Sequence, residues 1–138
     1  MKGFLILVLL GLSLSSNRDI VVSCAKKQLN KPYKRGGQGP DKFDCIGLVK
    51  YCLDQIGKGG NIGSVCHYQY KKGKPVNKNQ LQPGDAVFFD FNSGTPPGHV
   101  GIYIGNDYYI NASTKEMKVV MSKLSANTHY YGARNYID

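Results

Sequence analysis

The sequence predicts an α+β domain, with helices leading and an antiparallel sheet following. Three observations point there. Cys45, Leu48, Val49, Cys52, Leu53 and Ile56 follow helical spacing and form one continuous apolar face. After LQPGD, a turn signal, the period changes to two: in HVGIYIG, His99, Gly101 and Tyr103 alternate with Val100, Ile102 and Ile104. GND then supplies hairpin chemistry, and YYINA is placed to return antiparallel.

The chain opens MKGFLILVLLGLSLSS, with Lys2 as the charged start, an apolar run from Phe4 to Leu12 and small residues behind it. This is the layout of a secretory signal peptide, expected over residues 1–16 with cleavage near Ser15 or Ser16. Asn17, Arg18 and Asp19 separate VVSC from the apolar run, which argues against lipidation of Cys24. One domain is expected over residues 17–138, since no internal repeat or low-complexity linker divides it.

Within it, Asn17 or Asp19 is positioned to cap a first helix that buries Val21, Cys24, Ala25 and Leu29 and ends at Pro32. RGGQGPDKF reads as a loop. The second helix starts at Cys45, with Asp44 as N-cap and Gly57 just past its end. GKGGNIG is another loop. AVFFDF, HVGIYIG, YYINA, MKVVMS and HYYGARNYI read as strands.

Formal charge is +9, from 18 Lys plus Arg against 9 Asp plus Glu. The basic residues are scattered, so their collective effect is a long-range field that attracts polyanions. For an exported protein the expected partners are anionic cell-wall polymers or an anionic membrane. No nucleic-acid motif accompanies the charge, and no nucleic acid is expected. Four cysteines, Cys24, Cys45, Cys52 and Cys66, allow two bridges in three ways. None has the CxxC spacing of a structural zinc site, so no metal is expected.

Cys45 stands in the first turn of its helix, where unpaired N–H groups and the dipole favour an anion. A thiol there can be an activated nucleophile. Cysteine is also among the most buried residues, and position alone leaves both readings open. Cys24 and Cys52 read as core or as a bridge; Cys66 lies in a turn. A nucleophilic thiol needs a base. His67 and His129 sit in polar, tyrosine-rich stretches and read as surface. His99 opens a strand whose next same-face residue is Gly101, leaving room for a helix end that carries a thiol. Asn111 is placed to orient the imidazole through its amide oxygen. A three- or five-residue loop at the hairpin would put the two on one face; a two-residue turn would put them on opposite faces.

FDCIGLV, LQPGDAVFF and GHVGIYIGNDYYINAS occur in that order, preceded by LNKPYKRGG. In this the chain resembles the NlpC-type (NlpC/p60-like) family of cell-wall cysteine endopeptidases, from about Ile20 to the C-terminus. The resemblance implies a papain-like α+β fold, with the nucleophile on a helix packed against the sheet that holds the base. It implies hydrolysis of peptidoglycan stem peptides, at the bond from D-γ-glutamate to diaminopimelate or lysine, by a secreted monomer without cofactor. It implies Cys45 as nucleophile, His99 as base and Asn111 as third residue. Asp44 would bind the free amino group of the stem's L-alanine, and Tyr33 would help polarise the oxyanion.

Three positions depart from the family pattern. Ile46 replaces the usual Ser beside the nucleophile, which bears on the acyl-side subsite. Arg35 replaces a common aromatic at the cleft rim. Asn111 stands where His is usual; it can orient the base but carries no charge. NAS is also a glycosylation sequon, and Asn111 is expected to be unmodified. Two other readings share the sequence: an amidase or acyltransferase of the same fold, and a catalytically degenerate basic wall-binding module.

Overall fold

The computed structural model describes residues 15–60, 62–92 and 94–138, so all but the last two residues of the expected signal peptide lie outside it. Helix α1 (Asn17–Lys27) begins at a capping box. Ser16, rather than Asn17 or Asp19, is the N-cap: its hydroxyl accepts from the Asp19 N–H at 3.0 Å, and the Asp19 carboxylate accepts from the Ser16 N–H in return. Val21, Cys24 and Ala25 are buried, and the helix stops at Lys27, before Pro32.

Helix α2 (Cys45–Asp54) buries Leu48, Val49, Cys52 and Leu53, the face its periodicity predicts. Asp44 caps it, accepting from the Gly47 N–H at 2.6 Å. Gly47 is a close-approach position. A Cβ there would stand 2.0 Å from the Gly37 carbonyl oxygen, so only glycine lets the preceding loop close onto this first turn. Phe43, fully buried, pins that loop to the core. A third, short helix, α3 (Cys66–Lys72), follows and was not expected from the sequence.

Six strands form one antiparallel sheet: β1 (Lys74–Val76), β2 (Ala86–Phe89), β3 (His99–Gly105), β4 (Tyr108–Ser113), β5 (Lys118–Lys123) and β6 (Tyr130–Asn135), in the order β1-β6-β2-β3-β4-β5. Five were expected; the three-residue β1 was not. The helices cover one face. There Ala86, Phe88, Val100, Ile102, Ile110 and Ala112 meet the apolar faces of α1 and α2 in the main core. Burying each large apolar side chain contributes about 1.5–3 kcal/mol. On the opposite face Val87, Phe89, Tyr109, Leu124 and Ala133 form a smaller core.

The β3–β4 hairpin decides the site. Asn106 and Asp107 form a two-residue turn, both at positive φ (52° and 70°), as a type I′ turn requires. That turn alone would leave His99 and Asn111 on opposite faces. The pairing shifts between Tyr103 and Gly105, so Ile104 is an inserted bulge residue that restores the parity. Continuing the Ile102–Ile110 register by one residue sets Gly101 opposite Asn111, on the face of His99.

LQPGD closes the fold at the other end. The Asp85 carboxylate, 1% exposed, accepts from the Gln82 N–H at 2.9 Å and pairs with Arg18 at 3.0 Å. Arg18 also reaches the Pro83 carbonyl and Asp138, tying α1 to the turn before β2 and to the C-terminus.

Candidate active site

The three residues read as catalytic come from three elements. Cys45 is the first residue of α2, His99 the first of β3, and Asn111 lies within β4. His99 Nε2 lies 2.9 Å from Asn111 Oδ1. The Asn111 amide nitrogen donates to Ser122 Oγ at 3.1 Å and more weakly to the Val120 carbonyl at 3.4 Å. Those acceptors fix the amide so that its oxygen faces the histidine, and Nε2 is therefore the protonated nitrogen. The imidazole's other nitrogen is left for the Cys45 thiol. Asn111 is 4% exposed.

The space beside Gly101 is filled differently from the expectation. A Cβ at that position would meet the Ile110 carbonyl and the Tyr109 ring at 2.8 Å and Asn111 Cβ at 3.1 Å. The glycine admits the orienting residue and its neighbour, not the helix end.

The surroundings favour a thiolate at Cys45, with its pKa brought down to about 5. The largest cause is a hydrogen bond from Cys66, whose Sγ lies 3.9 Å away. Burial opposes the shift; hydrogen bonding and positive charge from His99, and the Val100 N–H, reinforce it. Helix α2 adds its N-terminal dipole. For His99, burial pulls the pKa down, but contact with the Cys45 anion and with Asn111 outweighs it and the net shift is upward. The pair is therefore set as thiolate and imidazolium. Cys66 moves the opposite way: its bond to Cys45, burial and the neighbouring negative charge hold it as a neutral thiol.

Cys45, His99, Asn111 and Tyr33 line one cleft of about 550 Å³, whose rim includes Phe91, Thr114 and Lys115. Tyr33 is half-buried, and burial, then the Cys45 and Asp44 charges, keep its phenol protonated. Asp44 and Ile46 line a second hollow of about 370 Å³ with Gly36, Gln38, Lys50 and Ser64. The Asp44 carboxylate accepts from two backbone N–H groups, Gly47 at 2.6 Å and Gly36 at 3.0 Å. Ile46 is half-buried and packs partly on the main core. Arg35 is exposed, and its charge reaches Tyr33.

Sequence reasoning missed three neighbours. Ser122 shares a face with Asn111 across the β4–β5 ladder, where Tyr109 pairs with Ser122 and Asn111 with Val120. Carrying the period-two register one strand further would have found it. Phe91 packs at a tilt against both His99 (5.8 Å between centroids) and His129 (4.9 Å). Cys66 gave no local signal; only long-range packing brings it to Cys45.

Fold and site together define a papain-like α+β protein with a Cys–His–Asn constellation at the junction of helix and sheet. The NlpC/P60 family model matches residues 30–135, and the chain belongs to that family. It is 38% identical over 107 residues to the "Probable endopeptidase p60" of Listeria grayi, covering 78% of this chain and 20% of that protein. It is 33% identical over 114 residues to the murein DD-endopeptidase MepH of Escherichia coli, covering 78% of this chain and 42% of that protein. The chain thus spans about a fifth to a half of the curated relatives it matches. The solved structure of NlpC2 from Trichomonas vaginalis superposes with a TM-score of 0.83 at 25% identity, over 91% of this chain and 48% of that one.

Proposed function

We propose that this domain is a secreted cysteine endopeptidase that hydrolyses peptidoglycan stem peptides, at the bond from D-γ-glutamate to diaminopimelate or lysine. The observation that carries the reading is the Cys45 thiol at the start of α2, facing a histidine whose Nε2 is held 2.9 Å from Asn111 Oδ1. The names of its relatives, probable endopeptidases and a murein DD-endopeptidase, support endopeptidase action on peptidoglycan.

In this mechanism the Cys45 thiolate attacks the scissile carbonyl. The Cys45 N–H, at a helix start where backbone donors lack intrahelical partners, and the Tyr33 hydroxyl stabilise the oxyanion. The His99 imidazolium gives its proton to the leaving amine, and a thioester remains on Cys45. Neutral His99 then takes a proton from water, which cleaves the thioester and restores the thiolate. Asp44 holds the free amino group of the stem's first residue: a carboxylate has about four acceptor positions, and its two backbone bonds leave capacity for an ammonium. Ile46 lines the same hollow and gives it an apolar wall where the family more often has a hydroxyl.

The test is incubation with purified muropeptides and mass analysis of the products, beside Cys45→Ala. Cleavage after D-glutamate that disappears in the variant is expected. A different product would point instead to an amidase or acyltransferase. Tight binding without product would point to a wall-binding module.

A further inference from the structure

Papain-type chemistry needs one thiol, and this site holds two. Cys45 Sγ and Cys66 Sγ are 3.9 Å apart, in van der Waals contact. They differ in access: Cys45 is partly exposed in the cleft, whereas Cys66 is 5% exposed within the main core. In the peptidase mechanism Cys66 makes and breaks no covalent bond; its part is the contact that favours the Cys45 thiolate.

We propose that Cys45 and Cys66 are an oxidative modification site for hydroperoxides, in which Cys66 resolves oxidised Cys45 as a reversible disulfide. This rests on the reading of Cys45 as a reactive thiolate. The thiolate attacks the outer oxygen of a hydroperoxide; the O–O bond breaks, the departing alkoxide or hydroxide takes a proton, and Cys45 becomes a sulfenic acid. The Cys66 sulfur then attacks the sulfenic sulfur. An S–S bond forms, the S–O bond breaks, and the oxygen leaves as water with the Cys66 proton. A dithiol reductant reverses the reaction by two thiol–disulfide exchanges.

The geometry suits this order of events. The accessible sulfur is the one that ionises, so it meets the oxidant first. The resolving sulfur is held against it and shielded from solvent. Bond formation requires the sulfurs to close from 3.9 Å to about 2.05 Å. The segment carrying Cys66 can give: α3 has only seven residues, its N-cap Val65 makes no side-chain capping bond, and Gly57, Gly59, Gly60 and Gly63 precede it. A rotation at both cysteines with a small shift of the first turn of α3 brings the sulfurs together. While the bridge stands, no nucleophile faces the substrate; a lone thiol under the same exposure would pass on to the irreversible sulfinic acid.

The experiment treats the reduced full chain with hydrogen peroxide, with and without later dithiothreitol, and follows intact mass, peptide maps and muropeptide cleavage. The expected result is loss of two hydrogens, a linked peptide pair containing Cys45 and Cys66, complete loss of cleavage and full recovery with dithiothreitol. In Cys66→Ser, whose hydroxyl keeps a donor beside the Cys45 anion, the same treatment is expected to add two oxygens to Cys45 with no recovery. Wild-type protein that gains two oxygens at Cys45, or links Cys24 to Cys52 alone, overturns the proposal. A Cys45–Cys66 linkage in a protein whose reduced form cleaves no muropeptide upholds the thiol pair and overturns the peptidase reading instead.

Discussion

Asn111 reaches His99 diagonally, not from directly across the hairpin: its cross-strand neighbour is Gly101, and the amide passes beside that glycine to place Oδ1 2.9 Å from Nε2. Orientation of the base therefore depends on a residue with no side chain. Gly101→Ala would drive a methyl against the Ile110 carbonyl, the Tyr109 ring and Asn111. The expected outcome is a loss of about 1–3 kcal/mol in urea unfolding. The displaced Asn111 should also lower kcat/KM on muropeptides by more than about ten-fold.

The pH profile of cleavage should follow the ion pair. Activity requires anionic Cys45 and cationic His99, so it is expected to rise as Cys45 ionises near pH 5 and to fall as His99 loses its proton above its ordinary value. Asn111 accepts from the imidazole and favours the cation. Asn111→Ala removes that support, so the alkaline limb should move to lower pH while kcat drops by roughly 10–100-fold. An unshifted alkaline limb would show that Asn111 does not act through His99.

Arg18 is the partner of a carboxylate that is 1% exposed. Arg18→Ala leaves Asp85 charged in the interior without its counterion. The expected cost in chemical denaturation is about 3–5 kcal/mol. The pair Arg18→Met with Asp85→Leu should recover part of that loss, because neither residue then leaves a buried charge.

Association with isolated cell walls is expected to rest on the net charge of +9. Surface charges are screened over roughly 10 Å at 0.1 M salt. Sedimentation with purified walls should therefore show binding that weakens about ten-fold or more between roughly 0.05 and 0.5 M salt. Binding indifferent to salt would remove the electrostatic account.

Elements with a long, regular pattern were legible in the sequence. Helix α2 carries an unbroken apolar face and a capping Asp44, and β3 alternates in sequence from His99 to Tyr103, up to the bulge at Ile104. Helix α3 was not legible, because its buried positions are a cysteine and a glutamine in an otherwise polar seven-residue stretch without a capping side chain. Strand β1 is three residues including Pro75, and only its pairing with β6 makes it a strand. The site was half legible. Cys45, His99 and Asn111 stand in recognisable company, but their shared face depends on the bulge at Ile104, which no residue type announces. Cys66 and Ser122 belong to the site only through contacts between elements distant in sequence.

His99 and Asn111 sit twelve residues apart on one hairpin, whereas Cys45 comes from a helix laid onto that hairpin by the main core. The imidazole and its amide partner can assemble as soon as β3 and β4 meet, but the sulfur acquires its acidity only when α2 docks. A nascent or partly unfolded chain therefore carries four ordinary, slow thiols. Iodoacetamide labelling of Cys45 during refolding therefore becomes a clock for the docking of α2 onto the hairpin, because chemical power appears in the molecule only with that contact.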